Sequence, residues 1–157
     1  YWVSILRRSG DRLRMHKMTL KTTTVQMPDL SLVVVRAEQD RQPEIKAAWQ
    51  TLESRLPSLK GRKFYGVCCR EESRTVYYAG LEPLDAEEIT RLGLPTLLVK
   101  GGKYVRARIS DWPKHVDRIG AIFDDLQRTF NTDPDRPVIE HYRSHTQLDL
   151  LAPMAES

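Results

Sequence analysis

The sequence predicts an α+β fold: a duplicated β-α-β-β unit whose strands form one antiparallel sheet, with two helices on one face and a ligand groove on the other. Three observations point there. Two segments carry the same helical pattern, one at Ile45, Ala48, Trp49, Leu52 and Leu56, the other at Ile119, Ile122, Phe123, Leu126 and Phe130. Apolar residues at i, i+3, i+4, i+7 and i+11 share one helix face. Each pair is separated by the same 74 residues, and that offset persists outside the helices. Leu20 matches Leu94, Val25 matches Val99, and Phe64-Tyr65 matches Val138-Ile139. Val76 matches Leu150 and Ala79 matches Pro153, with no gap required. Two copies of one packed unit need this shared apolar pattern.

The elements follow in order. Each unit opens with an extended segment, 25–36 and 96–109, broken midway at Met27-Pro28 or Gly101-Gly102. A hairpin or a kinked strand fits either break. A helix comes next. Pro43 and Pro113 sit near the helix starts, and Asp111 is a candidate cap. Two short strands close each unit, 64–70 with 74–79 and 138–143 with 147–152. Their connections, Glu71-Glu72-Ser73 and Ser144-His145-Thr146, are polar and turn-like. Between the units, Asp85 as cap, Glu88 at the capping-box position and Gly93 as terminator predict a short linking helix.

Composition bounds the rest. A chain of 157 residues suits one domain with one sizeable core. Its only cysteines, Cys68 and Cys69, are adjacent and do not make a disulfide framework, so a reducing cytoplasm is expected. No stretch approaches the roughly 20 apolar residues of a membrane span. The net charge of +4 is segregated. Arg7, Arg8, Arg12, Arg14 and Lys17 against Asp11 account for all of it, and the remaining residues balance twenty basic against twenty acidic side chains. Residues 1–18 therefore read as a basic, flexible tail or leader without the apolar core of a signal peptide. Residues 19–157 read as a single domain with units at about 20–82 and 94–156, as a monomer or homodimer. The neutral domain argues against nucleic-acid binding by the folded part, and the tail is too short for a DNA-reading module.

One residue breaks the strand pattern. Alternation in Val138-Ile139-Glu140-His141-Tyr142-Arg143 puts Glu140 on one face with Val138 and Tyr142. A carboxylate between such neighbours needs a partner or a raised pKa if that face is enclosed. The offset sets Gly66 against Glu140, with Phe64 and Cys68 as its face-mates, so one half carries an acid and the other leaves room. Such a cavity suits a cationic or planar guest. An exposed strand carboxylate paired with Arg143, Lys103 or Arg106 is the other reading, and both stay open. His141 and His145 lack neighbouring ligands for a metal site. Cys68 has no histidine placed to activate it. Gly101-Gly102-Lys103-Tyr104 lacks the phosphate-loop spacing. Trp49 reads as helix packing. No metal or cofactor is expected.

The chain resembles the GyrI-like small-molecule-binding domains, which also serve as effector-binding domains of AraC- and MerR-type regulators. The matching residues are Phe64-Tyr65-Gly66-Val67, Tyr77-Tyr78-Ala79-Gly80-Leu81-Glu82, Gly101-Gly102-Lys103-Tyr104-Val105, Glu140-His141-Tyr142 and Leu150-Leu151-Ala152-Pro153-Met154, over about residues 20–154. The resemblance implies a duplicated β-α-β-β fold with Glu140 at the centre of a pocket and Tyr104 on its wall. Tyr142, Tyr65 and Trp112 complete the expected ligand-binding set. The chain departs from the family in Val105-Arg106-Ala107-Arg108-Ile109-Ser110-Asp111, which is more polar and lacks glycine, so a more basic rim is expected.

The expected function is a stand-alone binder of hydrophobic, cationic or planar aromatic compounds, for drug sensing or sequestration. Two alternatives accompany it. One is a hydrolase of strained electrophilic aromatic natural products, with Glu140 and Tyr104 as the catalytic pair. The other is a protein-interaction role such as gyrase antagonism.

Overall fold

The computed structural model describes residues 20–156; the expected basic tail lies outside the described residues. The chain runs β1 (Thr22–Met27), β2 (Leu30–Arg36), α1 (Gln42–Ser54), β3 (Phe64–Glu71), β4 (Arg74–Leu81), α2 (Ala86–Leu92), β5 (Thr96–Val99), β6 (Gly102–Ser110), α3 (Ile119–Thr129), β7 (Val138–Tyr142) and β8 (Gln147–Pro153). All eight strands join one antiparallel sheet in the order β1-β6-β8-β7-β3-β4-β2-β5. The two units meet at β3 and β7, and each unit's first strand crosses to the far edge of the other unit.

The register carries the internal offset. Thr22 lies opposite Ala107 and Thr96 opposite Val33, the same pairing displaced by 74 residues. At the central junction Gly66 lies opposite Glu140, so the two residues related by the offset face each other on the pseudo-twofold axis. The last strand departs from the expected match. Ala79 pairs with Gly66 and Leu150 with Glu140, so Ala79 corresponds to Leu150 and not to Pro153. The second hairpin is three residues shorter than the first. The β3–β4 turn is a two-residue turn with Glu72 and Ser73 both at positive φ, 46° and 64°, which suits the twist of a hairpin.

Local signals explain most of the rest. Asp85 Oδ1 accepts from Glu88 N at 2.8 Å, and Gly93 closes α2 in the left-handed region. Pro43 occupies the first turn of α1. Asp111 does not cap a helix: at φ 54° it opens a short 3-10 turn, Trp112–Lys114, and α3 begins only at Ile119. The crossing of the two exchanged strands needs glycine. A Cβ on Gly101 would sit 2.2 Å from Met27 O, and Gly101 N donates to Asp29 Oδ1 at 2.8 Å.

Both long helices pack on one face. α1 lies over β2 and β4 and α3 over β8, and Trp49 of α1 reaches Phe64 of β3 and Tyr142 of β7 at the centre. Ile45, Trp49 and Leu52 of α1 join Ile119, Ile122, Phe123 and Leu126 of α3 and the sheet residues Val105, Ala107, Tyr142 and Leu150 in the main core. The sheet curls into a half-barrel. On its other face Leu32, Val34, Tyr65, Val67, Tyr104, Ile139 and Leu151 form a second buried cluster. None of the described helices is long and apolar enough to cross a membrane.

Candidate functional site

The helix face carries a buried carboxylate ringed by aromatic side chains. Strand alternation puts Val138, Glu140 and Tyr142 of β7 toward the helices, beside Phe64, Gly66 and Cys68 of β3. Glu140 is 0 % exposed. Tyr77 Oη donates to Glu140 Oε1 at 2.7 Å and Tyr142 Oη donates to the same oxygen at 3.0 Å. Trp49 Nε1, from α1, donates to Tyr77 Oη at 3.0 Å. A carboxyl group buried this deeply needs such hydrogen-bond partners. A Cβ at Gly66 would sit 2.1 Å from Glu140 Oε1 and 2.3 Å from Tyr77 Oη. The carboxylate therefore occupies the space that only glycine leaves.

The walls are aromatic. Tyr142 meets Trp49 edge-on at 5.6 Å and Trp112 at 5.0 Å, and Trp49 meets Phe64 at 6.1 Å. Trp112 is fixed by its Nε1 donating to Ser144 O at 3.0 Å. The tyrosines present their hydroxyls to the carboxyl group, and the two indoles pack edge-on against Tyr142 behind it.

Of the residues singled out from sequence, Glu140, Tyr142 and Trp112 come together. Tyr104 and Tyr65 do not join them. In β6 it is Val105, Ala107 and Ile109 that face the helices, so Tyr104 points to the opposite face, where its hydroxyl donates to Lys100 O at 3.0 Å. Burial pushes its phenol up to about 12. Tyr65 lies on that same face, stacked on His141 at 4.5 Å, with its phenol also pushed up to about 12 by burial. The expected pairing of Glu140 with Tyr104 in a hydrolytic site is thus broken by the sheet itself. The expectation that Glu140 lies on the face away from the helices is corrected in the same way. Sequence reasoning missed Tyr77 and read Trp49 as packing alone. The signal was available: a two-residue β3–β4 turn sets Tyr77 opposite Cys68, on the face of Gly66. Neither thiol adds a nucleophile. Cys68 is buried, and burial with Glu71 pushes the Cys69 thiol up to about 11.

No protein-family model matches the sequence, and no curated protein matches it either. Solved structures do match. The structure of SAV2435 bound to tetraphenylphosphonium superposes with a TM-score of 0.66 at 18% identity, covering 87% of this chain and 94% of that one. A transcription regulation protein from Staphylococcus aureus MU50 matches at 0.58 and 17% identity, covering 85% and 99%. The EcmrR C-terminal domain matches at 0.56 and 7% identity, covering 89% and 100%. The chain shares the fold of these structures. Within this shared fold the carboxylate stands on the central β7 strand, where the two units meet.

Proposed function

We propose that the protein binds lipophilic cationic or planar aromatic small molecules at Glu140, for sensing or sequestration. The observation that carries this reading is the fully buried Glu140 carboxylate, held by Tyr77 and Tyr142 and walled by Trp49, Phe64 and Trp112. Trp49 of α1 packs on Phe64 of β3 and Tyr142 of β7, so a ligand reaching Glu140 displaces the indole from between α1 and α3. The SAV2435 structure, with its bound tetraphenylphosphonium, supports the ligand class. Cys68 and Cys69 carry no disulfide, which suits a reducing cytoplasm.

The test is a titration of tetraphenylphosphonium into the protein and its Glu140→Gln variant. The amide keeps the shape and removes the charge. Loss of a desolvated charge contact costs about 1.5–3 kcal/mol, or roughly ten- to a hundredfold in affinity. A neutral planar aromatic loses much less. Equal affinity of both proteins for the cation rejects the reading.

A further inference from the structure

The face away from the helices carries a belt of basic side chains across five neighbouring strands. Arg106 and Arg108 stand on β6, His141 on β7 with Arg143 just past its end, and Lys63 just before β3. Lys21 precedes Thr22, which pairs with Ala107, so it flanks Arg108 at the β1 edge. The strand order β1-β6-β8-β7-β3 makes these positions contiguous. Among the described residues, Asp149 and Glu82 are the carboxylates that pair with them. Asp149, its side chain 2% exposed, takes Arg108 in two bonds, Nε to Oδ1 at 2.7 Å and Nη2 to Oδ2 at 3.2 Å, and Arg143 Nη1 to Oδ2 at 3.4 Å. One negative charge thus serves two guanidiniums. Glu82 reaches Lys63 at 3.8 Å.

The cations keep much of their surface. The side chains of Lys63, Arg108 and Arg143 are 67%, 40% and 44% exposed. Five cations against two carboxylates leave a local excess of positive charge on a domain that is otherwise balanced. His141 reports the same field: burial and the cations Arg143, Lys63 and Arg108 hold it neutral, against the pull of Asp149.

We propose that this belt is a docking surface for an acidic polypeptide segment. Five strands at about 4.8 Å spacing span about 19 Å, the length of roughly six extended residues. A row of charges of that length fits a run of carboxylates along one chain better than a single small anion. Nucleic acid fits less well, because Tyr65 is buried under His141 and offers no ring for base stacking. Charge complementarity of this kind sets association rate and salt dependence more than tightness.

The experiment uses a fluorescent oligoglutamate peptide and the full chain, read by anisotropy at low and high salt. The triple variant Lys21→Gln/Lys63→Gln/Arg106→Gln leaves both partners of Asp149 in place, and its folding is checked by thermal melting. We expect salt-sensitive binding to the wild type, about tenfold weaker binding to the triple variant, and wild-type binding to Glu140→Gln. The triple variant Lys21→Arg/Lys63→Arg/Arg106→Lys, which keeps the charge, retains affinity. Wild-type affinity in the charge-removing variant overturns the proposal, since binding then resides in residues 1–18. Tighter binding of a single-stranded oligonucleotide of equal charge overturns the partner class.

Discussion

Gly66 and Glu140 face each other across the β3–β7 junction, and the carboxylate of one fills the space left by the other's missing side chain. The two units of a duplicated fold present equivalent positions at their shared axis, and two full side chains there would collide. This chain resolves the conflict asymmetrically, with an acid on one side and nothing on the other. Gly66→Ala would place a methyl 2.1 Å from Oε1 in a packed, buried setting. We expect a loss of about 1–3 kcal/mol from overpacking, near 2–4 °C in melting temperature per kcal/mol. The penalty shrinks in a Glu140→Ala background, where the nearer of the two colliding oxygens is gone and only Tyr77 Oη, 2.3 Å from the methyl, remains. Thermal melts of the four proteins check this, and an unchanged penalty in that background refutes the steric coupling.

The bond from Trp49 to Tyr77 ties α1 to the carboxylate. Tyr77→Phe removes a donor to a buried charge and the acceptor of the indole at once. Each single change, Tyr77→Phe or Trp49→Phe, is expected to cost about 1–2 kcal/mol. Because the two groups act in series, the double variant should cost less than the sum, with a coupling of about 0.5–1.5 kcal/mol. Denaturant unfolding of the four members of the cycle measures it. Strict additivity would mean that the two residues stabilise the site independently.

The sheet was legible in the sequence because apolar periodicity is set by which face is buried. The helix faces around Trp49 and Phe123, the breaks at Met27-Pro28 and Gly101-Gly102, and the α2 cap and stop all follow from local chemistry. The exchange of β1 and β5 between the units was not legible, because edge pairing depends on tertiary geometry that periodicity does not encode. The shift in β8 escaped for a related reason: a hairpin shortened by three residues keeps an apolar pattern, so an ungapped match still looks satisfied. In the site, alternation within β3 already separates Tyr65 from Gly66, and only the family resemblance drew Tyr104 to Glu140. The face on which the helices pack was the missing fact. It decides that the carboxylate looks inward between α1 and α3.

Arg136 fastens the crossing of the exchanged strands. Its guanidinium donates to the carbonyls of Gly101, Lys103 and Met154, pairs with Asp133, and lies 5.2 Å from the Tyr104 ring. A Cβ on Gly102 would come 2.5 Å from its Nη1, so glycine there admits the fork. Arg136→Ala strips the guanidinium from three carbonyls, of which those of Gly101 and Met154 are left to water while Lys103 O keeps its bond from Met154 N at 2.9 Å. We expect a loss of about 2–3 kcal/mol in chemical denaturation. Arg136→Lys should recover little, since one ammonium cannot span three acceptors. Full recovery by lysine would mean that charge alone matters at this position.

His141 makes stability depend on pH in a definite direction. Burial first, then Arg143, Lys63 and Arg108, push its pKa down from 6.5 to about 4, and Asp149 only partly opposes them. The unfolded chain therefore binds more protons than the folded one between those values. The neutral ring's contribution is fully present above about pH 6.5 and is lost as the pH falls toward 4. Allowing for the solvent that reaches the ring, the effect is of order 2 kcal/mol. His141→Phe keeps an aromatic ring against Tyr65, 4.5 Å from it in the native stack, and removes the titration. The stability difference between wild type and variant should stay flat above pH 7 and move against the wild type between pH 6.5 and 4. Other titrating groups are common to both proteins and cancel in that difference. Parallel stability curves down to pH 4 would show that His141 gains its proton as easily in the folded chain as in the unfolded one.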